Sequence, residues 1–153
     1  MLFGASTRIR KQLRKCHCSD TDRRVMVKTA IRVIYGDTDQ MGVVYYGNYL
    51  RFFEAARSEW FRSKGTCWRD IESAHGVYLP VVEAKVNYKR PARYDDVIVV
   101  ETRLAEVGRA SLRFDYRVMR DEDLVALGHT VHACVSHDGD IREFPEAMAN
   151  QLR

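Results

Sequence analysis

The chain has 153 residues, of which 46% are hydrophobic and 30% are charged. These proportions are typical of a globular protein and exclude an intrinsically disordered or collagen-like chain. No apolar run comes near the roughly 18 residues that a membrane span needs. The apolar stretch at the start is too short for the core of a signal peptide, so the expected location is the cytoplasm.

The net charge of +4 is unevenly distributed along the chain. Residues 1–25 carry +5 and the remainder carries −1. Because residues 1–25 also show neither strand alternation nor a helical stripe, we expect a basic, mobile leader there, followed by one domain over residues 26–153. Binding to a polyanion such as nucleic acid would depend on this leader alone.

The cysteines and histidines do not have the spacing of a metal site. Cys16 and Cys18 lack the two-residue spacer that is typical of zinc ligands, and no second ligand pair follows at a useful distance. His129 and His132 lie three residues apart in a predicted strand, so their side chains are expected on opposite faces. The sequence therefore predicts neither a metal site nor a disulfide framework.

In the first half of the chain, the hydrophobic pattern predicts a strand, a polar loop and two helices. Alternation over residues 29–35 indicates the strand, and the glycine-bracketed residues 36–42 form the loop. From Tyr45 onward, aromatic residues recur every three or four positions, which predicts a largely enclosed helix of about 20 residues ending at Gly65. A shorter helix is predicted over Trp68–His75.

The second half of the chain predicts strands only, until Pro145 opens a short terminal helix. The strands are expected at residues 78–88, Val97–Val107, 112–118 and 124–136. One aromatic helix with about five antiparallel strands, each having one apolar face, indicates an α+β fold in which the sheet curls around that helix. Its edge strands need a cover, and pairing with a second copy is a common solution.

The loop before the long helix carries two acids, Asp37 and Asp39. The first amides of a helix have no internal acceptors and a partial positive charge, so they can polarise a carbonyl group and stabilise an oxyanion. A carboxylate beside that carbonyl could act as a nucleophile or as the base for water. Gly47 would let a ligand approach closely. By spacing alone, however, the Asp-Thr-Asp triplet is more typical of turn and capping chemistry than of a catalytic site.

Residues 35–49 read YGDTDQMGVVYYGNY. This run resembles the signature of the hotdog-fold acyl-CoA thioesterases, in the group of the 4-hydroxybenzoyl-CoA thioesterases and the Tol–Pal-associated thioesterases. The similarity extends over residues 34–61 and continues at residues 88–96, 109–111 and 142–145. The resemblance implies a hotdog fold, in which a curved antiparallel sheet of about five strands wraps around one long central helix.

The resemblance also implies roles for particular residues. Asp39 matches the family's catalytic carboxylate, and Tyr46 matches the helix-start position whose backbone N–H polarises the thioester carbonyl. The Tol–Pal-type members usually have His where this chain has Tyr46, so an imidazole mechanism is excluded there. Asp37 is expected to order the loop. The candidate substrate-binding residues are Gly47, Tyr49, Arg90, Arg109 and Ser111.

The predicted activity is hydrolysis of a short-chain or aromatic acyl-CoA to the free acid and CoA, with no metal and no cofactor apart from the CoA of the substrate. A homodimer or homotetramer is expected, because a neighbouring subunit would complete the pocket. The sequence fixes neither the acyl group nor the choice between CoA and acyl carrier protein as the thiol carrier.

Two other functions compete with hydrolysis. One is a non-catalytic acyl-CoA-binding sensor whose basic leader contacts nucleic acid; retention of Asp39 and the lack of a helix-turn-helix pattern in the leader count against it. The other is a hotdog dehydratase. That chemistry generally needs a His paired with an acid near the helix start, and the sequence has none there.

Overall fold

The computed structural model describes residues 26–152, so the predicted leader lies outside the described residues. The elements in chain order are β1 (Val27–Arg32), a 3₁₀ turn (Tyr35–Asp37), α1 (Asn48–Ser63), α2 (Trp68–His75), β2 (Val81–Tyr88), β3 (Val97–Val107), β4 (Ser111–Arg120), β5 (Asp123–Ala133) and α3 (Glu146–Leu152). Within residues 26–152, none of the helices is long and apolar enough to cross a membrane.

The five strands form one antiparallel sheet in the order β1-β3-β4-β5-β2. Alternate side chains of β3 and β4 are buried, as expected for strands with one face against a core. Helix α1 packs on this face, where the ring of Phe53 stacks on the ring of Tyr116 with their centroids 4.2 Å apart. The predicted α+β class and the central aromatic helix are confirmed.

Helix α1 is shorter than the sequence predicts, since its 16 residues begin at Asn48. Tyr45 therefore precedes the helix, and it is exposed rather than buried. The backbone N–H of Tyr45 donates to the carbonyl oxygen of Asp37 at 2.9 Å, which holds residue 45 in the loop. The predicted end is correct, because Gly65 adopts the left-handed conformation that favours glycine after a helix, with φ of 76°.

Strand β1 ends at Arg32, three residues before the predicted end. Local hydrogen bonds compete with the sheet there. The backbone N–H of Ile34 donates to the carboxylate of Asp37 at 3.0 Å, and the N–H of Asp37 donates back to the carbonyl of Ile34 at 3.0 Å. This reciprocal pair starts the 3₁₀ turn at Tyr35, whose side chain is 80% exposed.

Strand β2 differs from its prediction in burial. Its alternating apolar residues are expected to share one apolar face, yet Ala84 and Tyr88 on that face are exposed, and only Val82 and Val86 are half-buried. Among the described residues, β2 pairs only with β5, so it forms one edge of the sheet and β1 forms the other. An exposed strand edge with apolar side chains is a surface on which another chain can pair.

Candidate active site

The loop between β1 and α1 folds back on itself as a narrow hairpin. At its base, the N–H of Tyr45 donates to the carbonyl of Asp37. At its tip, the N–H of Asp39 donates to the carbonyl of Val43 at 2.9 Å, and an isolated β-bridge lies between these two rungs. Two residues of extended chain separate the rungs, which corresponds to roughly 7 Å. The hairpin therefore holds the backbone of Asp39 beside the segment that enters α1.

Asp37 ties this hairpin to the helix. The residue is only 3% exposed, and its carboxylate accepts the N–H of Ile34 and forms an ion pair with Arg51 of α1. Its backbone carbonyl also accepts a hydrogen bond from the side-chain amide of Asn48 at 2.9 Å. The predicted structural role of Asp37 is confirmed.

Asp39 is half-buried and is oriented by its own loop. One carboxylate oxygen accepts the N–H of Met41 at 2.8 Å, and the backbone carbonyl accepts the N–H of Gly42 at 2.9 Å. No Lys, Arg or His within residues 26–152 forms an ion pair with it. One oxygen is thus fixed by the turn, while the other can receive a proton from water or attack a carbonyl carbon.

The backbone amides at the entrance to α1 lack protein acceptors. Within the described part of the chain, neither the N–H of Tyr46 nor that of Gly47 donates to a protein group. Gly47 occupies the N-cap position and has no side chain with which to cap the helix. These two donors, at the positive end of the helix dipole, are suited to bind an oxyanion.

Exposed apolar side chains surround these amides. We call this group the tyrosine patch: Tyr45, Tyr46, Leu50 and Tyr88, which are 43–62% exposed. The rings of Tyr45 and Tyr46 lie 4.4 Å apart, and the hydroxyl of Tyr88 donates to the carbonyl oxygen of Tyr46 at 2.9 Å. The sequence pattern assigns Tyr88 only to a strand face, since a tyrosine that ends a strand carries no specific functional signal.

Tyr49 and Gly47, both predicted to bind substrate, lie directly under this patch. Tyr49 is 3% exposed, and burial raises the pKa of its hydroxyl. A side chain at position 47 would lie 2.9 Å from the ring of Tyr45. In this structure Tyr49 therefore supports the patch from below, and the ring of Tyr45 occupies the space that Gly47 leaves.

Arg90 lies at the same end of the sheet as the loop. It forms an ion pair with Asp123 at 3.4 Å, and its guanidinium is largely exposed. The adjacent Pro91 accepts a hydrogen bond from Arg120 at 3.2 Å, and Ala92 accepts the N–H of Val44 at 2.8 Å. Arg90 is thus a cation beside the Asp39 hairpin that can reach a surface ligand.

Arg109 and Ser111 lie at the opposite end of the sheet. Ser111 begins β4 and is buried, and Arg109 forms an ion pair with Glu143 in the adjacent turn. Strand β4 runs from there to Arg120 beside the Asp39 hairpin, which is roughly 30 Å for nine residue steps. Within one chain, the structure therefore does not bring Arg109 and Ser111 to Asp39.

No group of three or more His, Cys, Asp or Glu residues among residues 26–152 could hold a metal ion. His129 contacts Glu83 at 2.8 Å, whereas His132 is completely buried and hydrogen-bonded to the carbonyl of Leu79 at 3.0 Å. The prediction that the two histidines lie on opposite faces is confirmed. Cys67 and Cys134 are free thiols, and the other two cysteines lie outside the described residues.

Comparisons with known proteins agree with this architecture. Residues 33–152 match the family model of the thioesterase-like superfamily. The acyl-CoA thioesterase YbgC of Haemophilus influenzae is 35% identical over 69% of this chain and 77% of its own. A 1,4-dihydroxy-2-naphthoyl-CoA hydrolase of Synechococcus elongatus is 34% identical over 80% of this chain and 92% of its own.

Solved structures show the same fold. Protein TT1821 of Thermus thermophilus superposes with a TM-score of 0.78 and 39% identity, over 84% of this chain and 95% of its own. The chain therefore belongs to the thioesterase-like superfamily, which confirms both the predicted hotdog fold and the predicted enzyme class, a thioesterase.

Proposed function

We propose that this thioesterase hydrolyses a short-chain or aromatic acyl-CoA to the free acid and CoA, using Asp39 and the amides of Tyr46 and Gly47. The observation that carries the proposal is the pairing of an oriented, half-buried carboxylate with two N–H groups that lack acceptors on the same short loop. The exposed rings of the tyrosine patch offer an apolar surface for an aromatic acyl group.

The chemistry needs only these groups and water. Asp39 either takes a proton from water, which then attacks the thioester carbon, or attacks that carbon itself to form an anhydride that water later hydrolyses. In both routes the carbonyl oxygen becomes an oxyanion, which the N–H groups of Tyr46 and Gly47 stabilise. Each such donor contributes roughly 2.7–4 kcal/mol in comparable sites. The C–S bond then breaks, and CoA leaves as a thiolate that is protonated by solvent.

The proposal is tested by incubating the protein with a panel of acyl-CoAs and measuring hydrolysis as the release of free thiol. We expect Asp39→Asn to reduce kcat by at least 100-fold, since the amide keeps the turn to Met41 but cannot accept a proton or attack. Asp70→Asn, at an exposed position of α2, is the matched control and should retain full activity. Full turnover by Asp39→Asn would contradict the assigned mechanism, and a wild-type protein inactive on the whole panel would contradict the proposed function.

The proposed reaction uses no metal or added cofactor and takes place in the cytoplasm. The absence of a cofactor requirement and the cytoplasmic location both stay predictions.

The sensor alternative depends on residues 1–25, which lie outside the described residues. No observation on the described domain favours it over hydrolysis.

We also propose that the site is completed by a second copy paired along β2. Strand β2 runs from Val81, at the Arg109 end of the sheet, to Tyr88, beside Tyr46. Antiparallel pairing of two β2 strands would set the Arg109 end of one chain beside the Asp39 end of the other. Pairing would also cover the exposed β2 edge and join the binding residues that one chain holds roughly 30 Å apart.

Subunit complementation tests this arrangement. We expect Asp39→Asn and Arg109→Ala homodimers to be impaired separately, whereas mixed and re-equilibrated chains should recover activity. A heterodimer would then contain one site with both residues intact, because Asp39 comes from one chain and Arg109 from the other. If both residues belonged to one chain's site, no heterodimer would contain an intact site, and mixing would restore nothing. A monomer by light scattering would equally contradict the proposal.

A further inference from the structure

The geometry points to Tyr88 as a positioning residue of the oxyanion hole, acting through the carbonyl group of Tyr46. This inference rests on the proposed function, because it assumes that the amides of Tyr46 and Gly47 bind the thioester oxygen. Tyr88 is the last residue of the edge strand β2, and its hydroxyl contacts the carbonyl oxygen of Tyr46, not the N–H groups themselves.

The hydrogen bond from Tyr88 fixes one particular peptide plane. The carbonyl of Tyr46 and the N–H of Gly47 belong to the same planar peptide unit. When the hydroxyl of Tyr88 holds that carbonyl at 2.9 Å, it also fixes the direction in which the N–H of Gly47 points. The preceding peptide is held in the same way, because the carbonyl of Tyr45 accepts the N–H of Asn48 at 2.9 Å. Both donors of the oxyanion hole are thereby oriented from behind.

The same hydrogen bond also strengthens the donor. A peptide whose carbonyl accepts a hydrogen bond is polarised, so its N–H becomes a better donor to an oxyanion. Burial and the neighbouring Tyr46 raise the pKa of Tyr88, so its hydroxyl keeps its proton and remains a donor at neutral pH. A preorganised donor needs no reorganisation when the charge develops in the transition state.

Contacts around Tyr88 hold its ring in place. The ring of Tyr49 meets the ring of Tyr88 edge-on, with their centroids 5.2 Å apart. Tyr49 is buried and also meets the ring of Phe52 edge-on, so it forms a fixed support. Tyr88 is 49% exposed, so removing its hydroxyl would leave no cavity in the core.

The variant Tyr88→Phe keeps this ring contact and removes only the hydroxyl. We expect kcat for benzoyl-CoA to fall about 10- to 100-fold, less than the loss of a whole oxyanion donor, while KM changes less than about threefold. The matched control is Tyr94→Phe, which removes the hydroxyl of another exposed tyrosine and should leave kcat unchanged. An unchanged kcat in Tyr88→Phe, or a purely KM effect, would overturn the inference.

A spectroscopic readout separates positioning from general loss of structure. Carbonyl-labelled benzoyl-CoA bound to Asp39→Asn should show a lowered C=O stretching frequency, because the oxyanion hole polarises the carbonyl. Adding Tyr88→Phe should move that frequency back toward the free value, and adding Tyr94→Phe should not. If the double variant with Tyr88→Phe showed the same C=O frequency as Asp39→Asn alone, the inference would be overturned while Asp39-dependent hydrolysis still stood. A wild-type protein inactive on every acyl-CoA would instead remove the proposed function on which the inference rests.

Discussion

Two acids on one loop have different surroundings although they are the same residue type. Asp37 and Asp39 are separated by one residue, yet the carboxylate of Asp37 is buried and paired with Arg51 and the N–H of Ile34, while Asp39 keeps one oxygen outside its turn. A carboxylate that is already paired is a poor base, so Asp39 is the better candidate of the two, and its catalytic role stays a prediction. The sequence assigns these roles only through the resemblance to the hotdog thioesterases, because spacing alone favours turn and capping chemistry for the whole triplet.

A glycine in β5 has an equally specific role in packing. A side chain at Gly128 would lie 2.5 Å from the carbonyl oxygen of Lys85 and 2.6 Å from the ring of Phe53. Both neighbours are constrained, since Lys85 belongs to the paired β2 strand and Phe53 stacks on Tyr116. We expect Gly128→Ala to lower the free energy of unfolding in urea by about 1–3 kcal/mol, as overpacking does.

Gly36→Ala is the matched control for that substitution. A side chain at Gly36 would meet nothing within 4 Å. Alanine there should change the free energy of unfolding by no more than about 0.5 kcal/mol, or stabilise the protein slightly because it lowers the conformational entropy of the unfolded chain. Equal stabilities of the two alanine variants would show that β5 can move away from Phe53.

At the scale of elements, the sequence predicts best where local signals and packing agree. Helix α2 spans Trp68–His75 as predicted, because Gly76 ends it in the left-handed conformation with φ of 62°. Strand β3 also has its predicted bounds, Val97–Val107, since it is paired on both sides and alternates cleanly. In these elements the hydrophobic period and the terminating residues specify one structure.

The incorrect element predictions have identifiable causes. Tyr45 fits the helical period of α1, but a hydrogen bond to Asp37 places it in the loop, and period alone does not reveal such a bond. The apolar alternation of β2 is real, yet within one chain the face is only partly covered, since Val86 packs against the core while Ala84 and Tyr88 are exposed. Arg109 and Ser111 belong to a family-like segment, and the direction of β4 places them at the other end of the sheet within one chain. Their binding role stays a prediction that depends on a second copy.

At the scale of the whole molecule, a buried polar chain crosses the core. The guanidinium of Arg57 donates to the hydroxyl of Tyr116 at 2.9 Å, and that hydroxyl lies 2.9 Å from the hydroxyl of Thr130. Thr130 in turn lies 3.0 Å from a ring nitrogen of His132, whose other nitrogen is bonded to the carbonyl of Leu79. This chain links α1, β4, β5 and the segment before β2. No acid among the described residues pairs with Arg57.

A buried cation without an acid partner makes the core sensitive to a second positive charge. Burial and the charge of Arg57 lower the pKa of His132 from 6.5 to about 4. The unfolded chain therefore binds a proton at a pH where the folded core does not, so stability is full above pH 6.5 and falls as the pH drops toward 4. We expect a loss of about 2 kcal/mol between pH 7 and pH 5 in urea unfolding.

The variant His132→Gln isolates this effect, because it removes the titrating ring while keeping an amide able to bond to Leu79. Its stability should change much less between pH 7 and pH 5, even if it is lower at both. His129→Gln alters the histidine on the opposite face of the same strand and should retain the pH dependence of the wild type. Equal pH dependence in wild type and His132→Gln would mean that the core accepts the second charge, and that the polar chain from Arg57 to Leu79 rearranges to accommodate it.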